Sequence, residues 1–112
     1  MRSAIVLVGK QVSIRANDFV TKLSTGKIEA IDPARKAILI TLDEPIDVGG
    51  TRYEWAVASG RLERDDLETF AAEGEMGCGI TWIPSARFSH QDPFELNWWR
   101  GGGAAIADVL LR

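Results

Sequence analysis

The chain has 112 residues, of which 46% are apolar and 26% charged, with a formal net charge of −3 at pH 7. These values describe one soluble domain able to bury a core without disulfides or a structural metal, and they exclude a disordered polyelectrolyte. Cys78 and His90 are the single residues of their types, which rules out a disulfide within one chain and a zinc site built from Cys and His alone.

Ala4-Ile5-Val6-Leu7-Val8 is the first apolar run. It follows one Arg, is only five residues long, and leads into Gly9-Lys10-Gln11. A secretory h-region is longer and ends in a small-residue cleavage site, so the run reads as a buried first strand or the lead into one. No stretch approaches the eighteen apolar residues of a membrane-spanning helix. With one cysteine, a reducing compartment is the simpler setting, and the expected location is cytoplasmic.

Between Gly9 and Leu62 apolar residues recur two apart, at Val12/Ile14, Ile28/Ala30, Ile38/Ile40/Leu42 and Tyr53/Trp55/Val57. That is the period of strands with one buried face, and four strands are expected. Asp32-Pro33-Ala34-Arg35 joins the second and third of them, since Pro presets φ for a type I turn. Pro45 is expected to end the third, because it cannot donate to a ladder. Asp47-Val48-Gly49-Gly50 forms the next turn, and Thr51 to Ala58 returns as a strand closed by Ser59-Gly60.

Asp65-Asp66-Leu67-Glu68 then resembles a capping box, with Asp65 at the N-cap and Glu68 three residues on. Leu67, Phe70 and Ala71 share a helical stripe and Gly74 can end it, so a short helix is expected near 66–73. Gly79 to Ile83 reads as a strand ending at Pro84, with Cys78, Ile80 and Trp82 on one face. Phe94 to Trp99 reads as another, with Phe94, Leu96 and Trp98 on one face and Trp99 on the polar one. After Gly101-Gly102-Gly103, Ala104 to Arg112 carries Ile106, Val109 and Leu110 on one stripe and is expected to be a terminal helix, with a strand as the alternative.

The fold expected is mainly β (α+β), in one domain over residues 1–112. Residues 9–62 supply a four-strand half, and residues 63–112 a short helix, two further strands and the terminal helix. In length and rhythm residues 9–62 resemble an SH3-like small barrel, so a barrel or rolled antiparallel sheet of five to six strands is the architecture implied. Barrels of that kind serve translation, transcription, peptide binding and methyl-lysine reading; fold alone does not choose among them.

No catalytic motif is present. Cys78 and His90 are the one pair that could form a thiol–imidazole dyad of a hydrolase, against which stands the apolar face that Cys78 shares. Asp43-Glu44 point to opposite sides of a strand, and Asp65-Asp66 suit a helix start, where negative charge is favoured. Arg100 with Gly101, Gly102 and Gly103 offers a weak anion site if a helix follows, but lacks the Lys-Ser/Thr of a nucleotide loop. Trp99 and Arg100 are the residue types enriched at binding hot spots.

Residues 1–62 carry nine Lys and Arg against seven Asp and Glu; residues 63–112 carry four against nine. The function expected is therefore a non-enzymatic protein-binding module, an accessory subunit or a small inhibitor, without cofactor or metal. Its candidate contacts are Trp99, Arg100, Asp65, Asp66 and Glu68. A homo-oligomer is left open. The alternative is a nucleic-acid- or nucleotide-binding barrel using Lys10, Arg15, Lys22, Lys27, Arg35, Lys36 and Arg52, which the acidic balance disfavours.

Overall fold

In the computed structural model the described residues are 7–16, 24–88, 91, 94 and 105–112. They form six strands, β1 (Gln11–Ala16), β2 (Ser24–Asp32), β3 (Ala37–Val48), β4 (Thr51–Gly60), β5 (Glu75–Pro84) and β6 (Ala105–Leu111), and one helix, α1 (Leu67–Glu73). Each strand pairs antiparallel with the next, and β6 returns to β1. The sheet is thus a closed barrel in chain order, and closure leaves no edge strand among the described residues open to pairing with another chain. No helix among the described residues is long and apolar enough to cross a membrane.

Alternation sets the interior. Val12 and Ile14, Ile28, Ile38, Ile40 and Leu42, Met76, Cys78, Ile80 and Trp82, and Ala107 and Val109 point inward into one core. β4 contributes the buried Ala56 and Ala58 on that side, with Tyr53 partly buried against the same core. Its small inward residues leave volume that Leu67 and Phe70 of α1 fill, and both are buried in the same core. At Gly60 an added Cβ would stand 1.8 Å from the carbonyl oxygen of Asp65. Only glycine lets the β4–α1 connection fold back this closely onto the strand.

A second apolar cluster lies on the outer surface. Ala37, Leu39, Val57 and Ile83 point away from the barrel axis and are covered by Phe94, with Ala30, Trp55 and Phe88 at the margin. The Trp55 and Phe88 rings stack with centroids 3.9 Å apart. Arg35 Nη1 donates to the carbonyl oxygen of Phe94, which ties the covering segment back to the β2–β3 turn.

Several expectations are corrected. The terminal segment is strand β6 and not a helix. Ala107 and Val109 are buried while Ile106 is 54% exposed, a period of two that splits the helical stripe Ile106/Val109/Leu110. The decisive energy is pairing, since β6 bonds to both β1 and β5 and satisfies backbone groups that a helix would leave open on two strands. Pro45 does not end β3. The ladder passes from Thr41↔Trp55 to Ile46↔Tyr53, so residues 42–45 have no register partner on β4, and Pro45 sits where no ladder donor is required.

On β2 a bulge after Ile28 sends Ala30 to the outer cluster and turns Ile31 toward the core. On β4, Trp55 and Val57 belong to the outer cluster, not to the barrel interior. β5 begins at Glu75, earlier than expected, because it pairs with β6 over its whole first half. Leu7 is buried in the core, and residues 7–9 form a turn that leads into β1, the second of the two readings of this run. Of the expected strand 94–99 only Phe94 is described, and it lies in a turn.

Candidate functional site

The connection from β4 to β5 builds the site. After Gly60 the chain closes a tight turn in which Asp65 N donates to the carbonyl of Leu62 at 2.9 Å and Leu62 N donates to Asp65 Oδ2 at 2.9 Å. Lys36 Nζ, from the residue just before β3, donates to the same Leu62 carbonyl at 2.9 Å. The helix begins one residue later than the capping box implied. Asp66, not Asp65, is the N-cap, and Thr69 N donates to its Oδ1 at 2.7 Å. That bond, with the Thr69 hydroxyl and the charge of Lys36 behind it, holds the Asp66 carboxyl below its ordinary value. Gly74 ends the helix in the left-handed conformation, φ 78°, as expected. Leu111 N then donates to the Gly74 carbonyl at 2.8 Å, fastening the helix exit to β6.

Between this connection and the outer side of β5 and β6 lies a cleft of about 540 Å³. Its charged lining is Arg61, Arg64, Asp65, Glu73, Glu75 and Asp108, and Gly77 forms part of its floor. Four carboxylates face two guanidinium groups, so the cleft is acidic. At Gly77 an added Cβ would lie 3.7 Å from Asp65 Oδ2 and 3.9 Å from Asp108 Oδ1. Two carboxylates distant in sequence thus flank one stretch of bare backbone. Arg15 faces Asp108 across the β1–β6 ladder. Such an arrangement offers hydrogen-bond acceptors and negative charge to a guanidinium or ammonium group, over a floor with no side chain in the way.

Cys78 sits on the other side of β5, fully buried in the core. Burial first, then the carboxylates of Asp108 and Asp65, push its thiol up to about 12. At neutral pH the thiol stays protonated, and a thiol is a poor nucleophile. His90, the other half of the candidate dyad, lies outside the described residues, as do Trp99, Arg100, Gly101, Gly102 and Gly103.

The acidic candidates take different places. Asp66 is spent on the helix start, Asp65 lines the cleft, and Glu68 is exposed on the first turn of α1. Asp43 accepts from Thr25 Oγ1 at 2.7 Å and does not line the cleft. Among the described residues no group of three or more His, Cys, Asp and Glu side chains is placed to hold a metal ion.

The cations of the first half are spread over the barrel and partly engaged. Arg35 pairs with Asp32 at 3.5 Å, and Arg52 with Glu54 at 3.5 Å and Asp47 at 4.0 Å. Lys36 holds the Leu62 carbonyl, while Lys10 and Lys27 are exposed and Lys22 is outside the described residues.

Sequence reasoning missed Asp108 as a site residue, because a helical reading of the terminal segment places it nowhere near Asp65. The available signal was the pair Gly77 and Gly79, two apart on the side of β5 opposite Cys78, Ile80 and Trp82. No family model matches the chain, and no curated protein or solved structure matches it.

Proposed function

We propose that the protein is a non-enzymatic binding module that recognises another protein through the cleft over Gly77, as an accessory subunit or a small inhibitor would. The observation that carries this reading is the bare Gly77 backbone flanked by the carboxylates of Asp65 and Asp108. A basic side chain of the partner would lie between them, and Glu73 and Glu75 would extend the acidic surface along the rim. The closed barrel behind the cleft supplies a rigid platform, as SH3-like scaffolds do for peptide ligands. Trp99 and Arg100 belong to the same proposal as further contacts, and the cytoplasm is the compartment proposed.

The test is affinity capture with the parent chain and two variants, Gly77→Leu, which covers the bare floor of the cleft without altering charge, and Asp108→Asn, which removes charge without altering size. A protein recovered in stoichiometric yield by the parent and lost by both variants supports the reading. Equal recovery by all three removes the cleft from the proposal. Recovery of nucleic acid in place of protein, with affinity falling steeply as salt rises, transfers the function to the dispersed cations Lys10, Arg15 and Lys27.

A further inference from the structure

We draw no further inference here: the strongest candidate outside the cleft, the outer surface of β6 at Ile106, 54% exposed and paired with Gly79 of β5, is an unpartnered apolar patch, and nothing in the structure shows what covers it.

Discussion

β5 serves two outer surfaces of the barrel that could hardly differ more. At its far end Ile83 joins Leu39 and Val57 under Phe94, with the Trp55–Phe88 stack alongside. At its near end Gly77 and Gly79 present backbone, and the surface sinks into an acidic cleft. The inward side of the same strand is uniformly bulky, with Met76, Cys78, Ile80 and Trp82. Side-chain size on alternate outward positions therefore decides which surface the molecule covers and which it leaves concave. Large apolar residues drive a segment down onto the sheet through burial; glycine gives no such drive.

The sharpest way to break the contrast is at Gly60, where the connection that walls the cleft leans on β4. A Gly60→Val substitution sets a Cβ 1.8 Å from the Asp65 carbonyl. That clash is with backbone and cannot be relieved by a rotamer change. The expected cost is about 4 kcal/mol or more, with α1 displaced and Leu67 and Phe70 withdrawn from the core. Urea denaturation measures it. A variant as stable as the parent would show that the connection does not rest on the strand as described.

Next comes the covered surface. Leu39→Ala leaves a cavity under Phe94 and is expected to cost about 3 kcal/mol, within the usual span for buried leucine. At Gly77, on the open surface, an added Cβ meets only ordinary contacts, at 3.7 Å and beyond, and Gly77→Leu, whose remaining atoms extend into the cleft, is expected to cost less than about 1 kcal/mol. Comparable losses at the two positions would mean that the outer cluster is not a second core, and that the two ends of β5 are alike.

How much of this contrast is legible in the sequence follows from what period two can and cannot say. The alternation at Ile38/Ile40/Leu42 identifies residues sharing a face, and they are core. The same alternation at Trp55/Val57 is equally clear, yet those residues face outward, because pairing register and not the pattern itself chooses the side. β6 is ambiguous for another reason. Ile106/Val109/Leu110 fits a helix and Ala107/Val109/Leu111 fits a strand; only the need to close the sheet between β5 and β1 separates them. The cleft inherits that ambiguity, since Asp108 reaches Gly77 only if the last segment is a strand. The acidic stretch 63–75 was visible as a candidate surface, and its local chemistry at Asp66 and Gly74 was readable to within one residue.

The buried side of β5 gives a smaller effect with a definite sign. The Cys78 thiol is pushed from its ordinary 9.0 up to about 12, so the folded state holds this proton more tightly than the unfolded chain does. The resulting stability is fully present below pH 9 and is lost as pH rises from there toward 12. A Cys78→Ala variant is expected to show a flatter alkaline limb of its stability profile, after allowance for the lost packing. In the native parent the thiol is expected to resist a disulfide reagent at pH 8 and to react once urea unfolds the chain. Prompt reaction of the native protein would place the thiol on the open side of the strand.

The smallest effect separates two neighbouring carboxylates that the sequence treats alike. Asp66 accepts from Thr69 N at the start of α1, and its carboxyl is held below the ordinary 3.8. Its contribution is present above that ordinary value and is lost as pH falls through the lower folded-state value. Asp66→Ala is therefore expected to lower the thermal midpoint slightly and to flatten the acid limb, while leaving partner capture intact. Asp65→Asn keeps an oxygen that can accept from Leu62 N and removes one charge from beside Gly77. It is expected to leave the midpoint nearly unchanged and to weaken capture. Loss of capture with Asp66→Ala alone would move the proposed recognition surface from the cleft to the exposed face of α1, where Glu68 stands.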